Sequence, residues 1–201
     1  MSWLHPNIIA NKREHASVSE IVQCFRDRRT VLNQLAFLIT GNQPAAGQAV
    51  VNARSLTLAG SSPFSEWLFE WAKAATITSA ISGNAEGIRA CEPAYRNQRC
   101  RHLEHLSQGD DAEREFNLNF VLQTDPLSVI SGLDPLSRAI LVLRVAIRSS
   151  IQDCVVHLNV PRAIVLAATC RAMTWLHDLR TKQAIGNSTP SSSAFRADSS
   201  P

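Results

Sequence analysis

Apolar residues recur at three- and four-residue steps along most of this chain, and the pattern predicts helices with almost no strand signal. A first helix runs from Glu20 to about Thr40, with Ile21, Val22, Phe25, Leu32, Leu35, Ala36 and Ile39 inward. Ser19 is its expected cap and Gly41-Asn42 its stop, with little order expected before Ser17. A second runs from Pro44 to about Leu58, with Ala45, Ala49, Val50, Ala53 and Leu56 inward. After a turn and cap at Ser61-Ser62-Pro63, a third runs from Phe64 to about Ile81. Its inward positions are Phe64, Trp67, Leu68, Trp71, Ala75 and Thr78, and helical spacing assigns Trp67, Trp71 and, further on, Trp175 to the core. Residues 83–123 are more polar, with arginines at 89, 96, 99 and 101, then a predicted helix from Gly109 to Gln123 closed by Asp125-Pro126.

The last third has the sharpest signals. Asp134-Pro135 is an N-cap with proline at the first helical position, leading a helix to Ile147. Ser149 or Ser150 caps a short helix, Ile151 to Leu158, with Asp153 in its first turn. Asn159 can take the left-handed conformation that ends it. A longer helix follows from Pro161 to about Arg180, with Val165, Ala168, Ala172, Leu176 and Leu179 on one face. A short helix, a tight turn and a longer helix make a helix-turn-helix, the last helix in the reading position.

Leu133-Asp134-Pro135, Arg138, Ile140 to Arg144, Ser150 to Leu158 and Val165 to Leu176 resemble the C-terminal DNA-binding region of extracytoplasmic-function sigma factors of bacterial RNA polymerase. Leu32 to Gly41 (a helix of form LxxLAxxxTG), Pro44-Ala45-Ala46, Pro63 to Leu68 and Ala72 resemble that family's N-terminal helical domain. The resemblance implies that the first half grips core RNA polymerase and the second meets promoter DNA. Carried over by position, the DNA-binding residues are Arg162, Ala163, Leu166, Arg138, Arg144 and Arg148, and those facing polymerase or a regulatory protein partner are Gln48, Val51, Asn52 and Leu166. The chain departs from the family at its contact surfaces. The stretch Ala45 to Asn52 has no acid, the third helix carries only Lys73, and Leu166, Ala167 and Ala168 stand where basic or polar groups are expected.

Composition limits the nucleic-acid reading. Charged residues are 18% of the 201, and the net charge is +3. Residues 124–183 hold seven basic and four acidic groups, again +3. Arg162, Arg171 and Arg180 are nine residues apart, about 900° of helix, so successive arginines point to opposite faces and form no stripe. Cys91, Cys100, His102 and His105 are the one cluster of soft ligands, but they lack the short paired spacing of a zinc site, so no metal or other cofactor is expected. Cys154 and Cys170 read as small core residues and His157 as partly buried. No GxSxG, P-loop, HExxH or dinucleotide turn is present, so the chain is not expected to be an enzyme. With no signal peptide and no apolar run of about 20 residues, it reads as cytoplasmic, with reduced thiols.

The expected architecture is therefore all-α. Two small helical domains, 17–82 and 124–183, are joined by a partly helical linker, 83–123, and followed by a disordered tail, 184–201. The function read from it is sigma-like: transcription initiation or its regulation, through polymerase and DNA. The alternative is a sigma-fold interaction module that no longer binds DNA.

Overall fold

Ser17, not Ser19, starts the first helix. Its hydroxyl accepts from the Glu20 amide while the Glu20 carboxylate takes the Ser17 amide, a reciprocal capping box. The structure, a computed structural model, describes residues 14–98 and 125–186. The helices are α1 (Val18–Asp27), α2 (Arg29–Thr40), α3 (Gln43–Ala59), α4 (Leu68–Gly83) and α5 (Ala85–Tyr95). After the undescribed interval come α6 (Pro126–Gly132), α7 (Pro135–Ala146), α8 (Ile151–Leu158) and α9 (Arg162–Gly186). The protein is mostly helical, and no strand occurs among the described residues. Residues 14–16 are ordered by pairing with the loop before α4: the Ala16 amide donates to Pro63 at 2.8 Å, and His15 stacks on Phe64.

The long first helix expected from the sequence is two. Arg28 leaves helical geometry at φ −99° and ψ 10°. Residues 26–30 are all exposed, so no buried side chain holds the axis straight there. The next stop falls where the glycine predicts it. Gly41 ends α2 in the left-handed conformation, φ 68°. An added Cβ there would also lie 3.2 Å from the Arg138 guanidinium. Gly41→Ala is expected to lower stability by about 1–2 kcal/mol, read from the urea unfolding midpoint at unchanged slope.

Asn42, with its side chain accepting from the Ala45 amide, caps α3. Residues 65–67 form a short 3-10 turn ahead of α4, so the third predicted helix starts late and its face is rotated. Its buried residues are Leu68, Ala72, Lys73, Thr76, Ile77, Ala80 and Ile81. Trp67 and Trp71 are half exposed, at 50% and 49%, which corrects their assignment to the core. Asp125 caps α6, accepting from the Leu127 and Ser128 amides, with Pro126 at the first helical position, while the helix expected over 109–123 lies outside the described residues.

α7 is the central element. Ten of its twelve residues are buried. It packs on α2, α4 and α5 from the first half and on α9 from the second. The buried apolar side chains, from Ala16 to Leu176, form one continuous core. The two halves thus share a core, and α5, from the stretch read as a linker, contributes Ile88 and Tyr95 to it.

Two cations inside this core stand at helix C-termini, where the dipole favours positive charge. Lys73 Nζ donates to the carbonyl of Ala146, at the end of α7, at 3.4 Å and pairs with Glu70 at 2.7 Å. Arg138 lies against Gly41, at the end of α2, and donates to the Leu133 carbonyl at 3.3 Å.

α8 keeps the predicted start: Ser150 and Asp153 form a second capping box. Asn159 is left-handed at φ 53°, and α8 and α9 meet at 111° across this break. α9 extends to Gly186, past the expected end near Arg180 and into the stretch read as tail. Among the described residues no single helix is long and apolar enough to cross a membrane.

Candidate functional site

α1, the start of α2 and α3 enclose a groove of about 440 Å³. Its apolar lining is Val22 and Phe25 from α1 and Val50 and Val51 from α3. Around them stand Arg26, Arg29, Asn33 and Arg54. Gly47, Val50, Val51 and Arg54 are i, i+3, i+4 and i+7, one stripe of α3. Of the three residues placed here for a partner, Val51 lines the groove and is 47% exposed. Gln48 and Asn52 are exposed and bond to each other at 2.8 Å.

The residues expected to meet DNA do not converge on one surface. Arg162 and Ala163 are exposed at the start of α9, and Arg148 is exposed in the α7–α8 turn, where it takes a positive φ of 54°. Arg144 is half-buried and donates to the Ser149 carbonyl, holding that same turn. Leu166 is half-buried, while its neighbours Val165, Ala167 and Ala168 are buried. These three neighbours face the core, so Ala167 and Ala168, at positions where the family carries basic or polar groups, are packed inward beside Leu166. Arg138 is buried at 6% exposure, so its expected contact with phosphate does not match where the fold puts it.

A polar network that sequence reasoning missed ties α5, α7 and α9 together. The Tyr95 hydroxyl donates to Asp134 Oδ2 and lies 2.6 Å from Ser137 Oγ. Asp134 Oδ1 accepts the Leu136 and Ser137 amides, both at 3.1 Å, and Arg171 Nε approaches Oδ2 at 3.5 Å. Burial alone raises the Asp134 carboxyl, but bonds from Tyr95 and Ser137 and the Arg171 charge outweigh it and hold it below its usual value. Burial and the Asp134 carboxylate push the Tyr95 phenol well above its usual value. The network is satisfied and inward, so it is structural. Beside it, a cavity of about 320 Å³ between the end of α6 and α9 is lined by Gly132, Leu133, Ala167, Arg171 and Trp175. Trp175 lies so close to Gly132 that a Cβ there would collide with the indole.

Of the soft ligands, Cys100, His102 and His105 lie outside the described residues. Cys91 is half-buried, its thiol donating to the Gly87 carbonyl at 3.2 Å. Among the described residues no group of His, Cys, Asp and Glu could hold a metal ion. Cys154 is buried as expected, whereas Cys170 is half-buried and disulfide-bonded, and His157 is exposed.

Comparison with protein-family models, with curated proteins and with solved structures finds no match to this chain.

Proposed function

We propose that the chain is a sigma-like protein acting in transcription initiation or its regulation, associating with RNA polymerase and meeting DNA through the start of α9. One observation carries this reading: the eight-residue α8 turns at a left-handed Asn159 into α9 at 111°. DNA-reading helix pairs cross at about 90–120° over a short turn and present the first residues of the second helix to the major groove. Here those residues are Arg162 and Ala163, both exposed, with Arg148 exposed in the turn before α8.

A second reading is favoured by the burial of Lys73 and Arg138. Two of the cations available for DNA serve the fold instead, which leaves a thin basic surface and points to a protein-binding role on a sigma-like scaffold.

The deciding experiment measures affinity of the whole chain for core RNA polymerase and for duplex DNA. The first reading expects specific polymerase binding. It also expects a DNA affinity whose logarithm falls with log salt at a slope of about −2, from two phosphate contacts at about −0.9 each. Polymerase binding without DNA binding at low salt would select the second reading. No polymerase binding at micromolar protein would remove the first.

A further inference from the structure

We infer that the groove between α1, α2 and α3 is a docking site for an acidic, amphipathic helical segment of another protein. The charge of the groove argues for it. Three arginines, Arg26, Arg29 and Arg54, line it, and among the described residues no acidic side chain does. Arg29 and Arg54 form no ion pair among the described residues, and Arg26 is held on α1 by the Gln23 side chain. The +3 net charge of the whole chain is thus matched by the lining of one groove. Carboxylates would meet this rim with charge-assisted bonds, and guanidinium groups are suited to take them two at a time.

The floor argues for apolar side chains on the same ligand. Val22 and Val51 present apolar surface between the arginines, and Phe25 and Val50 close it beneath. An apolar face flanked by acids at helical spacing satisfies both parts, the mode in which one helix lies in a groove between others.

Gly47 is a second, independent observation. It stands inside α3, where glycine costs about 1 kcal/mol relative to alanine. Its backbone needs no left-handed φ, and a Cβ there would meet nothing within 4 Å. Neither conformation nor internal packing requires the glycine. The space that its missing side chain leaves open is the groove.

The inference goes beyond the polymerase reading and does not depend on it. The family resemblance implies an acidic surface on this part of the chain, whereas the groove is basic, so its partner has the opposite sign.

The test uses the full chain and a fluorescein-labelled, helix-forming peptide of Leu, Ala and Glu, about 18 residues long, with one apolar face. The same peptide with Lys for Glu is the control, and anisotropy is the readout. The Glu peptide should bind and weaken as salt rises, and the Lys peptide should not bind. Arg29→Glu combined with Arg54→Glu should weaken binding by about tenfold or more, and so should Gly47→Leu, which fills the groove. Leucine is the better helix former, so Gly47→Leu should retain the wild-type unfolding midpoint or exceed it. The proposal is overturned if the Glu peptide does not bind, if both peptides bind equally, or if both variants bind like wild type. It is overturned equally if the chain sediments as a dimer that Val51→Glu separates, because a second copy then covers the groove.

Discussion

Asp134→Ala is expected to lower the unfolding free energy by about 2–4 kcal/mol, with an unchanged denaturant slope. Two losses combine. The carboxylate caps α7 through the Leu136 and Ser137 amides, and a lost N-cap costs about 1 kcal/mol. The substitution also takes the charged acceptor from the buried Tyr95 hydroxyl, leaving it Ser137 Oγ, and removes the ion-pair partner of Arg171. Loss of a hydrogen bond to a charged group adds about 1.5–3 kcal/mol. Because α7 packs on α2, α4, α5 and α9, the loss is felt by the whole fold in one transition.

The same network fixes how stability changes with pH. Asp134 has a folded pKa below its unfolded value, so its contribution is full above about pH 3.9 and is lost as pH falls through the folded pKa. Tyr95 has a folded pKa above its unfolded value, so its contribution is full below about pH 10 and is lost as pH rises beyond it. Asp134→Asn should flatten the acid limb of the unfolding profile and Tyr95→Phe the alkaline limb. Unchanged limbs would mean that the network does not hold in solution.

Nothing in the sequence pointed to this network. Asp134 was legible as a cap because its partners lie two and three residues away. The Tyr95 bond to it spans 39 residues, which no local spacing can reveal. The same boundary runs through the rest of the chain. The capping box at Ser150, the left-handed Asn159 and the stop at Gly41 are local chemistry, and all three are where the residues place them. Trp67 and Trp71 satisfy the spacing of an apolar face, but the 3-10 turn at 65–67 rotates that face away from the core. Lys73 and Arg138 read as surface charges because burial of a cation depends on segments far along the chain, here the Ala146 carbonyl that accepts from Lys73 and the end of α2 that packs against Arg138. Of the groove, only Val51 was singled out, as a partner-facing position implied by the family resemblance, while Arg26, Arg29 and Arg54 join it only through the packing of α1 against α3.

Arg138 and Arg162 separate these two kinds of arginine by experiment. Arg138→Ala should cost about 2–4 kcal/mol, since it empties a buried site and leaves the Leu133 carbonyl without its donor. It also takes a positive charge from the C-terminal end of α2, where the dipole favours one. Arg138→Met keeps the apolar stem and should recover part of the loss, but not the bond. Arg162→Ala, at an exposed position, should change stability by no more than about 0.5 kcal/mol. Its effect should appear in the salt dependence of DNA binding, reducing the slope by about 1, whereas Arg138→Ala leaves that slope unchanged under conditions where the variant is folded. The reverse pattern, an Arg138→Ala protein as stable as wild type with a reduced slope, would mean that α7 presents Arg138 to solvent. The two halves would then have to separate, because Arg138 reaches the surface only if α7 leaves the end of α2.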